Sequence, residues 1–229
     1  MNLPKLAKLV EQLRKNIIGE PVWIEKNGGF GYINQNIEVV TLLKLSRAVQ
    51  GIKSQIILCN AGLFIDTFSL YRCVNDCTEE IHFLLEKYPS QSEQVKKFVK
   101  NFFENNFDTT LSTKTNSVEK KKIHSANVRY LTKKEQDEEV KKKLELVHKT
   151  FCGYIHANYF HIMETYGGTE PHLSFNLLGV PDENQKSMKL EIVKHSYISV
   201  LLCTALICTH FKEYQIRNEI NNLIEEIDP

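Results

Sequence analysis

The sequence predicts an all-α protein, a single bundle of about six to eight helices spanning residues 1–229, with a small β-hairpin near residues 22–33. Three observations predict it. Apolar residues recur at three- and four-residue spacing along most of the chain. Only 10 Gly and 6 Pro punctuate 229 residues, so few segments are forced to turn. Hydrophobic residues make up 42% against 25% charged, enough apolar material for one real core.

The elements follow in order. Leu6, Leu9, Leu13 and Ile17 form one helical stripe, with Pro4 in the first turn and Gly19 past the end. Val22 to Lys26 runs into Asn27-Gly28 and then Gly29 to Ile33, the turn chemistry of a short hairpin. The helical period returns from Ile37 to Ala48, with a break expected at Gly51. Ser54 to Tyr88 reads as one long buried helix or two abutting ones, bent at Asn60-Ala61-Gly62. Ser92 caps an amphipathic helix carrying Val95, Phe98, Val99, Phe102 and Phe103. Asp108 to Ala126 is polar and holds Lys120-Lys121-Lys122, so a mobile polar loop is expected at residues 108–126. Thr132-x-x-Glu135 reads as a capping box opening a helix that lasts through Ile162 and closes at Gly167-Gly168. Thr169 to Pro181 is an extended connection, and Glu183 to Ile227 is helical again.

Composition also excludes function classes. With 29 Lys+Arg against 28 Asp+Glu the formal charge is +1, too little for wholesale electrostatic attachment to nucleic acid or an anionic membrane. The most apolar stretch, Tyr197 to Phe211, is interrupted by Ser199, Thr204, Thr209 and His210. It falls short of the ~18–20 residues of a spanning helix, so no membrane partner is expected. Met1 to Val10 lacks the apolar h-region of a signal peptide. The six cysteines sit among apolar neighbours, as reduced core residues would, and the expected location is cytoplasmic. There is no nucleophile elbow, Walker loop or dinucleotide fingerprint, and no cofactor is expected.

Two groups could carry chemistry. Arg72 and Asp76, four residues apart, share a helix face that Glu80 continues; Glu79 and His82 lie close by. The plain reading is an interhelical ion network, and the functional one an anion held by a planar guanidinium. The second group is Tyr154-Ile155-His156-Ala157-Asn158 with His161 and Glu164. His148, Cys152 and His156 form a stripe of potential metal ligands, although one straight helix cannot wrap an ion. Glu79/His82 and Glu145/His148 are Glu-x-x-His units of the kind found in di-iron bundles, with Glu38 and Glu104 as the remaining carboxylates. Chance spacing explains them more simply, and no metal is expected.

The stretch Leu70-Tyr71-Arg72-Cys73-Val74-Asn75-Asp76 to Leu84 resembles the Arg-bearing central helix of bacterial all-helical proteins of unknown function. Gly153-Tyr154-Ile155-His156-Ala157-Asn158-Tyr159 resembles a segment on a later helix of the same proteins. Some of these are similar to HEPN-type domains of toxin–antitoxin and abortive-infection systems. The resemblance covers roughly Leu43 to Gly168. It implies a helical protein that works through protein or RNA contacts, as a homodimer, in a bacterial defence setting. Ribonucleolytic members carry an Arg with a His shortly after it on one helix. Here the nearest His after Arg72 is His82, beyond that spacing, and Arg47, Arg129 and Arg217 have none suitably placed. Whether the chain is an enzyme is therefore open on the sequence. A composite hydrolase or ribonuclease site would set Arg72 and Asp76 against Tyr154 and His156 across the bundle, with the imidazole as acid or base. That enzyme and a metal-binding bundle are the alternatives; the first reading is a non-enzymatic or only weakly enzymatic helical bundle that acts through protein or nucleic-acid contacts.

Overall fold

A computed structural model describes residues 1–25, 28–104, 118–132, 137–168 and 170–227. In chain order the elements are α1 (Leu3–Ile18), β1 (Val22–Ile24), β2 (Gly29–Gly31), α2 (Ile37–Asn60), α3 (Phe64–Leu85) and α4 (Glu93–Glu104), followed by α5 (Lys120–Thr132), α6 (Glu138–Ile155), α7 (Tyr159–Met163), β3 (Tyr166–Gly167), β4 (Ser174–Phe175), α8 (Glu183–His210) and α9 (Tyr214–Glu225). The protein is mostly all-α, with two small antiparallel strand pairs. Nine helices among the described residues exceed the expected number because the chain between Val140 and Ile162 breaks at His156-Ala157-Asn158 into α6 and α7.

Local chemistry sets the ends. Asn2, Asn36, Asp137 and Asp182 cap α1, α2, α6 and α8 by accepting backbone N–H groups of the first turn. The hairpin pairs Val22 with Gly31 and Ile24 with Gly29, and Gly28 supplies the positive φ of its turn. Arg14 of α1 fastens it: its guanidinium donates to Tyr32 Oη at 2.7 Å and to Glu20 Oε2 at 2.8 Å.

Three apolar clusters share α2 and α3. The largest joins α1, α2, α3, α8 and α9 around Leu13, Leu45, Ile52, Ile81, Tyr197 and Ile207. A second sits between the start of α2, the end of α3, α4 and α5, around Val40, Leu84, Val99 and Ile123. The third gathers Phe64, Phe68, Tyr154, Val180 and Val193. By length and composition α8 could cross a membrane (an 18-residue window has mean hydropathy 1.6), but half of that window is buried, where α8 packs on α2, α3 and α9.

Three local expectations are corrected. α2 runs unbroken through Gly51, which is buried, and a Cβ there would stand 2.5 Å from Val74 Cγ2 of α3. The glycine marks a close helix crossing. Thr132 does not open a helix; it ends α5, donating to Val128 O at 2.9 Å, and Asp137 caps α6 instead. Glu135 lies outside the described residues. Within the tract expected to be mobile, residues 120–126 are helical and bury Ile123 and Ala126, because the apolar period there faces α3. Residues 108–117 of that tract lie outside the described residues.

Candidate functional site

α3 carries Arg72, Asn75, Asp76, Glu79 and His82 at helical spacing, so all five turn toward the same side. α5 runs alongside with Lys120, His124 and Asn127 in matching register. Lys120 donates to Asp76, His124 Nδ1 stands 3.8 Å from Glu79 Oε2, and His82 Nδ1 lies 2.6 Å from Asn127 Oδ1. Further along, Arg129 holds Glu86 through two hydrogen bonds of 2.5 and 3.1 Å. α6 closes the third side. Phe151 stacks on Tyr71 at 4.0 Å between ring centroids, and that contact brings Cys152 to Arg72 and His148 to His124.

The result is a polar cluster enclosed by three helices. Arg72 is 6% exposed and Glu79 1%. Arg72 donates to Asp76 Oδ1, which Lys120 also grips, so one half-buried carboxylate bridges two cations. Asn75 Nδ2 donates to Glu79 Oε1 at 2.8 Å. Glu79 Oε2 lies 3.2 Å from Lys120 Nζ but outside hydrogen-bond geometry, and it is left without a hydrogen-bond partner among the described residues. His124 Nδ1 and His148 Nδ1 are buried and unpartnered in the same way. Two buried imidazole nitrogens without a hydrogen-bond partner, beside a carboxylate oxygen held only by its ion pair to Lys120, are unusual in one place, because a buried polar group without a partner costs about 1–3 kcal/mol.

The electrostatics favour neutral imidazoles beside a firmly charged guanidinium. Burial pulls the Arg72 guanidinium down, but Asp76, Cys152 and Glu79 outweigh it and hold its pKa above the ordinary value. Burial pushes the His124 pKa below the usual imidazole range; Glu79 opposes this, while Lys120 and Arg72 add to it. Burial, then Arg72, His124 and Lys120, push His148 the same way. Desolvation also lowers His82, against its bond to Asn127.

Of the four residues that the sequence put together, Arg72 and Asp76 meet. Tyr154 and His156 belong elsewhere. Tyr154 is buried on the Phe68 side of α6; its hydroxyl donates to Glu164 Oε1 at 2.8 Å, and burial and Glu164 raise its pKa. Glu164 in turn takes Lys189 at 2.6 Å. His156 is the C-cap of α6, exposed, with no side-chain hydrogen bond or ion pair among the described residues. Glu80 turns to α2, where it pairs with Lys44 at 2.5 Å. The stripe of His148, Cys152 and His156 also divides: Cys152 and His148 face the cluster and His156 does not. The two Glu-x-x-His units do not assemble with Glu38 and Glu104. Glu145 is exposed, Glu38 accepts from Tyr88, and Glu104 pairs with Lys100. No three His, Cys, Asp or Glu side chains among the described residues gather as a metal site would require.

Two cluster members, Lys120 and His124, fall in the stretch that its polarity marked as a loop. The signal available was the spacing of Lys120, His124 and Asn127 at i, i+4 and i+7, one helical stripe flanked by the buried Ile123 and Ala126. Compared with known proteins, the chain matches no family model, no curated protein and no solved structure.

Proposed function

We propose that the protein is a HEPN-like helical bundle that cleaves RNA at the cluster between α3, α5 and α6, in a bacterial defence or toxin–antitoxin setting. One observation carries the reading: His124 and His148 stand edge to face with ring centroids 5.1 Å apart, both biased to the neutral form, next to the buried Arg72. Neutral imidazoles are the side chains suited to take a proton near pH 7. Arg72 and Lys120, now sharing Asp76, form a pair of cations matched to two oxygens of a phosphodiester. Asp76 and Lys120 are each about a third exposed at the rim, so the carboxylate can yield its place to the phosphate. Lys121, Lys122 and Lys149, all exposed, add positive charge on the adjoining turns of α5 and α6.

In this reading the imidazole pair removes the proton of a ribose 2′-hydroxyl, whose oxygen attacks phosphorus. The guanidinium and ammonium stabilise the added negative charge. The bond to the 5′-oxygen breaks, and that oxygen receives the proton from the imidazole pair. The reading keeps the Arg implied by the HEPN resemblance but takes its histidines from two other helices.

The test is cleavage of an end-labelled single-stranded RNA by the purified chain. His124→Ala and His148→Ala are each expected to slow cleavage by about 10²–10⁴-fold, and Arg72→Lys to weaken it as well. Absence of cleavage by the unaltered protein, or unchanged cleavage by both histidine variants, overturns the reading. A second reading, a purely structural ion network, is favoured by the balance of Arg72 and Lys120 against Asp76 and Glu79. It forecasts altered stability in those variants with no RNA cleavage to lose.

A further inference from the structure

Residues 155–163 and 171–181 contain no Lys, Arg, Asp or Glu, in a chain in which a quarter of the residues are charged. The fold brings both stretches to one tip beyond the C-terminal end of α6. Asn176 N–H donates to Thr165 O at 2.8 Å, and Thr165 N–H to Ile162 O at 3.0 Å, so the β4 arm is tied to the end of α7. The rings of Tyr166 and Phe175 meet across the strand pair at 5.0 Å. At the base, Val180 N–H donates to Gly62 O at 3.0 Å, and a Cβ on Gly179 would stand 2.0 Å from Ala61 O. The tip is therefore a fastened platform.

Large apolar side chains dominate its outer surface. Tyr159 is 70% exposed, Phe160 80%, Leu177 84% and Leu178 96%, with Ile155 and Leu173 more than two-fifths exposed. Aromatic side chains present about 150–250 Å² each and leucine or isoleucine toward the low end of that range, so these six together show on the order of 600 Å² to solvent. The largest apolar patch of an ordinary monomer is about 300–600 Å², whereas each partner in a standard interface buries about 800 Å².

We infer that this tip is the face through which two copies of the chain pair, as an isologous dimer. The apolar area alone reaches the lower end of what one half of a stable dimer needs. The scarcity of charge selects the occupant: residues 155–181 hold no Lys or Arg to attract a nucleic acid or an anionic lipid surface, and of their two acidic side chains Glu164 is paired with Lys189, which leaves Glu170 alone to repel an identical copy. An uncharged, aromatic- and leucine-rich patch is also the composition of a homodimer core. The inference does not depend on the RNA-cleaving reading.

The experiment is the solution mass of the full chain by light scattering and sedimentation equilibrium. The unaltered protein is expected at the mass of two chains. Leu177→Glu with Leu178→Glu places like charges face to face and is expected to raise the dimer dissociation constant about thirtyfold or more, the loss of one interface hot spot. Both residues are nearly fully exposed, so circular dichroism and melting temperature should stay unchanged. As a control, Trp23→Ser with Phe30→Ser, on the exposed face of the hairpin, should leave the dimer intact. If the variant pair misfolds, Leu178→Cys provides the alternative, forming a disulfide-linked dimer on mild oxidation. A monomeric unaltered protein overturns the inference, including one that instead pellets with vesicles of neutral phosphatidylcholine. So does a dimer insensitive to the paired glutamates, a dimer lost only in the hairpin control, or failure of the cysteine variant to cross-link.

Discussion

His124 of α5 and His148 of α6 meet edge to face, ring centroids 5.1 Å apart and planes at 80°, above a Glu79 carboxylate that is almost wholly buried. Each imidazole keeps a buried Nδ1 without a hydrogen-bond partner among the described residues, and both are pushed toward the neutral form chiefly by burial. Both imidazoles are thus held in the neutral, proton-accepting form in the folded state, and their protonation in acid opposes folding.

Stability should fall as the solution is acidified below the usual imidazole range. A histidine whose folded pKa is depressed binds fewer protons folded than unfolded, so stability rises with pH across the gap between the two values. The contribution is complete above about pH 6.5 and is lost as pH falls through the folded pKa. His82 and His210, also lowered by burial, act in the same direction. Thermal melts between pH 7.5 and 5 should show the decline, and His124→Asn with His148→Asn should flatten it. An unchanged slope in that double variant would mean that the cluster is not its source. The carboxylates Glu11 and Glu20, lowered chiefly by their hydrogen bonds to Arg14, act only below their ordinary value near 4.5.

Gly51→Ala should destabilise the protein even though alanine is the better helix former. The gain in propensity is about 1 kcal/mol. The new Cβ would stand 2.5 Å from Val74 Cγ2, and such overpacking costs about 1–3 kcal/mol. Adding Val74→Ala removes the obstructing methyl and should restore part of the loss. Denaturant titrations of the two single variants and the double variant would reveal this coupling; additive effects would place the cost elsewhere.

Three helices end in the same way. The N–H of Leu63, Asn158 and Glu213 each reaches back to the carbonyl of Leu58, Gly153 and Cys208, at 2.8–3.0 Å, over a left-handed residue. That residue is Gly62, Ala157 or Lys212, with φ of 74°, 48° and 62°. A side chain in this conformation costs about 1–2 kcal/mol, part of which glycine gives back in chain entropy. Ala157→Gly and Lys212→Gly should therefore each raise stability by about 0.5–1 kcal/mol. Gly62→Ala should do the reverse more strongly, since its Cβ would stand 2.2 Å from Val180 O. Melting temperatures test all three, and a loss on Ala157→Gly would count against the capping argument.

The hydrophobic period along the chain determined the helices, because burying an apolar stripe is a local pattern with a single outcome in a bundle. Leu6 to Ile17 and Val95 to Phe103 declared their helices in this way, and Asn27-Gly28 declared the hairpin. Arg72 and Asp76 were also legible as a pair, because four-residue spacing on one helix is enough to join them. The rest of the cluster was not. Lys120 and His124 join it because α5 lies beside α3, and His148 because Phe151 stacks on Tyr71. Tyr154 sits only two residues beyond Cys152, yet that is more than half a helical turn, and it points to Phe68 and Glu164 instead. His156, one turn past Cys152, fell just beyond the helix end, where Ala157 turns left-handed. Sequence spacing settles which side chains share a face; which faces meet is set by the packing of separate helices, a long-range property that no local pattern encodes.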